Sequence, residues 1–161
     1  MKNEPKNIER VIGVISDTHG MLRPEAVEAL RGVDLILHAG DVGSPEVLES
    51  LKGIAPVVAV RGNNDKGPWA EDLPPWEVAE VGVVSIYMIH DVKEIDLSPA
   101  PAGFQVVVSG HSHKPSVEER KGVLYVNPGS AGPRRFKLPI SVARLNVNGK
   151  AVNAEIVELS G

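Results

Sequence analysis

The chain has 161 residues, enough for one domain with a substantial core, and its 42% apolar and 24% charged content is that of an ordinary globular protein. It contains no cysteine, which excludes disulfides, thiolate metal ligation and thiol catalysis; any metal is left to His, carboxylate, amide oxygen or water. A formal net charge of −4 argues against a general attraction to nucleic acid or anionic membranes, and no apolar run approaches the ~20 residues of a membrane span.

The opening MKNEPKNIER is polar, unlike a signal peptide, so a soluble cytoplasmic protein is expected, with a polar lead over residues 1–9 and a single domain over 10–161. Val11 to Ile15 is a β-branched run that reads as a strand buried on both faces and ends at Ser16-Asp17. Pro24 opens a helix with Ala26, Val27, Ala29 and Leu30 as its apolar stripe, and Gly32 stops it. Val33 to Leu37 is a second strand, running into His38-Ala39-Gly40-Asp41. Ser44 is a candidate cap for a helix from Pro45 to about Lys52, and Val57 to Val60 is a third strand ending at Arg61-Gly62-Asn63. This alternation predicts parallel β-α-β units.

The second half reads as hairpins. Trp76 to Val81 and Val83 to Ile89 flank Gly82, Val117 to Glu119 and Val123 to Val126 flank Lys121-Gly122, and Ile140 to Val147 and Ala151 to Val157 flank Asn148-Gly149. Val106 to Val108 is a short apolar strand ending at Ser109-Gly110-His111, and Ser98 to Gly103 is a Pro-rich loop. A parallel half followed by a hairpin half predicts two sheets packed face to face with helices outside.

The polar residues fall at one end of these strands. Asp17 and His19, Asp41, Asn63, His90, and His111 and His113 each follow a predicted strand, the edge where open α/β sheets bind ligands, and four of the five histidines are among them. In an extended chain residues two apart point the same way, so Asp17 and His19 would converge, as would His111 and His113. Gly20, Gly40, Gly62 and Gly110 beside them would permit sharp turns and close backbone approach. Each piece alone has a plain reading as a surface turn or a cap; in order and at strand ends they predict a metal site.

The motifs SDTHG (16–20), HAGDV (38–42), RGNND (61–65), IHD (89–91) and GHSH (110–113), with NPGS (127–130), resemble the calcineurin-like metallophosphoesterase superfamily, and within it the small YfcE-type phosphodiesterases, over about residues 10 to 158. The resemblance implies a four-layer α/β/β/α sandwich of two mixed sheets. It implies a metal-dependent phosphoesterase, most simply a phosphodiesterase. Asp17, His19 and His113 would bind one divalent ion, Asn63, His90 and His111 a second, and Asp41 both. The reaction would be in-line attack by a metal-bridging hydroxide on a small phosphate ester. Two divalent ions, two carboxylates and a hydroxide leave about one positive charge, suited to a phosphate ester. Manganese is the first expectation, with iron, zinc or nickel as alternatives. Nucleic acid enters only as a potential substrate, and a homo-oligomer is left open.

The sequence departs from the family at Asn64, where larger relatives carry a histidine that protonates the leaving oxygen; an amide is a poor general acid. His90 lacks the glycine that often follows it in relatives, and a buried histidine paired with Asp91 is its plain alternative. Asp65 is expected to orient the metal loop, and His38 to be a core or supporting histidine. Asn127, Ser130 and Arg134 could contact phosphate or simply form a turn, and Arg135 and Lys137 read as a solvated basic patch. Trp69 and Trp76 read as an apolar surface strip. The competing function is a protein-binding scaffold on the same fold, as in the related retromer subunit.

Overall fold

The computed structural model describes residues 9–135 and 137–159. Glu9 already opens β1 (Glu9–Ile15), so of the expected polar lead only residues 1–8 remain, and these lie outside the described residues. The chain continues through α1 (Pro24–Ala29), β2 (Leu35–His38), α2 (Pro45–Lys52) and β3 (Val57–Ala59). It then forms β4 (Trp76–Val81), β5 (Val84–Ile89), α3 (Pro99–Ala102), β6 (Val106–Val108), β7 (Ser116–Arg120), β8 (Val123–Asn127), β9 (Ser141–Asn148) and β10 (Ala151–Glu158). Ser44 stands at the start of α2 in extended conformation, but its hydroxyl makes no capping bond. Pro45 sets that start instead, since its fixed φ and missing N–H suit the first helical position. In the last hairpin Asn148 pairs with Ala151, so the turn residues are Gly149 and Lys150, one position later than expected.

Two five-stranded sheets result, ordered β10-β9-β1-β2-β3 and β4-β5-β6-β8-β7. The first half is parallel and all three expected hairpins form in the second, but the two sheets do not divide along those halves. β1 pairs with β2 and β2 with β3 in parallel, but the C-terminal hairpin joins this first sheet, with β9 antiparallel to β1. The second sheet carries its own parallel centre, β5-β6-β8, between antiparallel edges. β9 takes its inner place because alternate residues are buried on opposite faces: Ala143, Leu145 and Val147 against the second sheet, Val142 against the helices.

Ile12, Val14 and Leu37 meet Ile86, Met88, Val106 and Val108 between the sheets. Ile15 and Ile36 face outward onto Ala26 of α1, Leu30 just after it, and Val47 and Leu51 of α2. Each such aliphatic side chain contributes about 1.5–3 kcal/mol on burial. The outer face of the second sheet, with Tyr87, Ile89, Val107 and Val123, is covered by Val92, Ile95, Leu97 and Phe104. The fourth layer is therefore thin: a single 3₁₀ turn at Val92–Glu94 and the four-residue α3, where a loop was expected. Trp69 and Trp76 form no common strip. Trp69 packs on the helix-side core, whereas Trp76 is half exposed and stacks on Tyr87 at 5.9 Å between ring centroids. Among the described residues no helix is long and apolar enough to cross a membrane.

Candidate metal centre

The ends of β1, β2, β5 and β6 deliver Asp17, Asp41, His90 and His113 to one buried point, with His19 at its margin. The delivery is not by strand pleat. Asp17, His19, Asp41, His111 and His113 all have positive φ, between 49° and 69°, and Lys121 is the only other described non-glycine residue that does. Side chains two apart converge because left-handed turns aim them, at roughly 1–2 kcal/mol per residue. The loops can approach one another this closely because two residues lack a Cβ. A side chain on Gly62 would collide with Asp41, and one on Gly110 with Ser16 and Asp17.

Asp17 Oδ2 is fully occupied, accepting from the Ser16 hydroxyl at 2.7 Å and the His111 N–H at 3.1 Å. Its Oδ1 has no hydrogen-bond partner, although His113 Nε2 lies 3.3 Å away, His19 Nε2 3.8 Å and His90 Nε2 3.9 Å. Asp41 Oδ1 accepts the Asn64 backbone N–H at 2.8 Å and Oδ2 the Asn64 amide at 3.0 Å, with His90 Nε2 at 3.4 Å and His19 Nε2 at 3.7 Å. His90 Nδ1 is 2.7 Å from the Ala39 carbonyl, to which it must donate, leaving Nε2 with a lone pair aimed at both carboxylates. Asp91 is not its partner; it caps the Val92–Glu94 turn and lies 3.7 Å from His111.

Among the described residues four buried side-chain atoms lack a hydrogen-bond partner: Asp17 Oδ1, His19 Nε2, His90 Nε2 and His113 Nδ1, all from this cluster. Orphaned buried polar atoms are costly and rare, so four together call for a further atom. Two compact donor sets could hold a cation, Asp17 with His19 and His113, and Asp17 with Asp41 and His90. Ligands about 2.1 Å from a common ion stand roughly 3.0–3.4 Å apart, close to the spacings seen here. Oxygen and imidazole donors fit a divalent ion.

Asn63 and His111 stand at the exposed rim, with His111 Nδ1 3.2 Å from Asn63 Oδ1. The His111 ring meets that of His90 edge-on at 5.1 Å, while His19 and His113 are 5.5 Å apart on the other side of the carboxylates.

Without a cation the electrostatics already favour two carboxylates. Burial pushes Asp17 upward, but His113 and the Ser16 hydroxyl outweigh it and hold the carboxyl below its ordinary value. Burial acts likewise on Asp41, and His90 and the Asn64 N–H overcome it by a wide margin. Burial would lower His90, yet Asp41 and Asp17 hold it raised. A proton there occupies the position a cation would take.

The supporting layer is dense. Asp65 accepts the N–H groups of Gly62, Val42 and Gly43 at 2.9, 3.1 and 2.9 Å, locking the Asn63 loop to the Asp41 loop. His38 is fully buried, and burial pushes it down to about 4, so it is neutral. Its Nδ1 accepts the Gly40 N–H at 3.1 Å, which makes Nε2–H the donor to Thr18 Oγ1 at 3.0 Å; Thr18 in turn donates to the Val42 carbonyl at 2.8 Å. Ser16 and Thr18 were not among the expected site residues, though both lie inside the SDTHG motif. Asn127 and Ser130 are used structurally rather than left for phosphate. Asn127 donates to the Gly110 carbonyl at 2.9 Å, and Ser130 to the Asp17 carbonyl at 3.1 Å.

Comparison with known proteins identifies the family. The family model described as the calcineurin-like phosphoesterase superfamily domain matches residues 11–150. A probable metallophosphoesterase of Methanothermobacter thermautotrophicus is 38% identical over 159 residues, covering 91% of each chain. Among solved structures, the E. coli phosphoesterase YfcE superposes with a TM-score of 0.66 at 25% identity, covering 93% of this chain and 100% of its own. Vacuolar protein sorting 29 of Cryptosporidium parvum gives a TM-score of 0.75 at 24% identity, covering 95% and 99%, a likeness of fold. With the fold, the motifs and the matched span in agreement, this chain belongs to the calcineurin-like phosphoesterase superfamily.

Proposed function

We propose that the chain is a phosphodiesterase working with two divalent ions, manganese foremost. Asp17, His19 and His113 hold one ion, Asn63, His90 and His111 the other, and Asp41 both. The observation that carries this reading is the set of four buried side-chain atoms without a hydrogen-bond partner, all on residues of two adjoining donor sets that share Asp17. Such ions, when bound, supply charge neutralisation for phosphoryl oxygens and a lowered pKa for water. The protein's own part is positioning. Ser16 and the His111 N–H fix which oxygen of Asp17 faces inward, and the Ala39 carbonyl fixes the His90 tautomer.

Hydrolysis forms one bond from a water oxygen to phosphorus and breaks the bond from phosphorus to the departing alcohol, giving a monoester and an alcohol. The departing oxygen needs a proton. Asn64 does not supply it: its amide is a poor acid and is engaged by Asp41 Oδ2. Aryl and other activated diesters are therefore preferred over alkyl monoesters, and solvent protonates the leaving group.

The test is elemental analysis of the purified protein together with hydrolysis of bis(p-nitrophenyl) phosphate in added manganese. Two equivalents of metal with turnover supports the reading. Two equivalents without turnover on any ester favours a binding scaffold, and no metal uptake overturns the centre itself.

A further inference from the structure

Two recesses flank the carboxylate pair, and they differ in charge. One, of about 170 Å³, is lined by Arg61, Asn63, His90, Asp91, Glu94 and His111, so its single cation is outnumbered by two carboxylates. The other, of about 300 Å³, is lined by His19, His113, Pro133, Arg134 and Arg135, with no carboxylate in its wall. Among the described residues neither Arg134 nor Arg135 has an acidic partner within 4.0 Å, in a chain whose net charge is −4.

These arginines extend from a loop fastened to the metal-bearing end of β1. The Ala131 N–H donates to the Ser16 carbonyl at 3.0 Å and the Ser130 hydroxyl to the Asp17 carbonyl at 3.1 Å. Arg23 donates through Nε and a terminal nitrogen to the Gly132 carbonyl at 3.2 and 3.1 Å. Gly132 is pressed so closely on Asp17 and Thr18 that a Cβ there would collide with their backbone. The backbone of the loop is therefore fixed, and from it Arg134 and Arg135 line the same recess as His19 and His113.

We infer that the Arg134–Arg135 recess is a subsite for a second phosphate group on the substrate, which rests on the phosphodiesterase reading of the adjoining centre. Planar guanidinium groups match phosphate oxygens in paired hydrogen bonds, and a dianion gains most where no carboxylate competes. The substrate class is then a phosphodiester in which one alcohol carries a further phosphate, as on a phosphorylated sugar. That arm lies toward His19 and His113, and the uncharged arm lies in the Arg61 recess.

The experiment compares the p-nitrophenyl ester of thymidine 5′-phosphate with the same ester bearing an added 3′-phosphate, on manganese-loaded protein. In parallel, equilibrium binding of thymidine 5′-phosphate and thymidine 3′,5′-bisphosphate is measured. Wild type should favour the doubly phosphorylated member of each pair about tenfold, in KM rather than kcat, as expected of about one net charge-assisted contact. In R134A/R135A that preference should collapse to about twofold or less. Circular dichroism checks the fold, which these exposed side chains do not support. Turnover without any preference, or a preference that survives the double substitution, overturns the subsite and leaves the phosphodiesterase intact. Preferential binding abolished by the double substitution, with no turnover of either ester, upholds the subsite and overturns the hydrolytic reading. Failure of both nucleotides to bind overturns the subsite.

Discussion

The two sides of the candidate centre are built differently. On the inner side Asp17, Asp41, His90 and His113 are at most 5% exposed, and each reaches its place from a loop whose backbone is bonded to another loop. On the rim the side chains of Asn63 and His111 are exposed, and His111 touches Asn63 at 3.2 Å and lies 3.7 Å from Asp91. The inner wall is pre-organised: Asp17 Oδ1 and His90 Nε2 are set toward the site before any ion arrives, because the opposite atom of each is already committed. The rim is held more loosely, and an ion there must order its own ligands. Affinity should thus come from the inner wall, and exchange and substrate access from the rim.

The strongest challenge to this division is Asp41→Asn, which keeps the shape and removes a charge from the inner wall. Phosphodiester hydrolysis should fall by roughly a thousandfold or more, since the metal's contribution to catalysis is several kcal/mol. A loss under tenfold, measured at saturating manganese, would place the essential charge elsewhere. Asp65→Ala tests whether the wall is pre-organised by its supports. Three backbone N–H groups lose their acceptor, and urea unfolding of metal-free protein should show a loss of about 3 kcal/mol or more, with Asp65→Asn intermediate. A loss below about 1 kcal/mol would mean the loops hold themselves.

His38 sharpens the same point through pH. Its value falls from 6.5 to about 4 on folding, so the unfolded chain takes up a proton first as the solution is acidified. Stability from this residue is whole above about pH 6.5 and is lost progressively down to about pH 4, by about 3 kcal/mol in all. His38→Gln, able to accept from Gly40 and donate to Thr18, should flatten the urea-unfolding profile over that window. An unchanged slope would place the acid sensitivity in another group. The smallest effect is expected at the rim. Asn63→Ala should weaken one of two metal equivalents by about ten- to a hundredfold, leaving the other unchanged in a calorimetric titration. Equal weakening of both would erase the distinction between rim and wall.

Much of this was legible in the residues. A short β-branched apolar run such as Val106 to Val108, bounded by turn residues, reads as a buried strand, and Pro45 marks a helix start by covalent geometry. The site residues were visible because polar groups stood where strands ran out. Their manner of convergence was not. Left-handed φ at Asp17, His19, Asp41, His111 and His113 is tolerated by Asp and His better than by most residues but not demanded by them, so tertiary bonds decide where it occurs. The sheet membership of β9 and β10 was hidden for a related reason. An amphipathic hairpin fits either of two apolar sheet edges, and only packing of the whole chain selects between them. The thin fourth layer was hidden too, because Pro99-Ala100-Pro101-Ala102 has the composition of a loop and forms a helix of a single turn.

The pairing of β1 with β9 has a temporal consequence. Glu9 lies opposite Asn148 and Val14 opposite Ala143, so the strand that leads to Asp17 gains its second neighbour only from residues 143–148. Contacts spanning such a distance close late and slow the search for the native topology. During synthesis, Asp17 and His19 would follow a strand paired on one side only, with β2, until β9 emerges. The strand leading into the site is thus fully flanked only once residues 141–148 are in place.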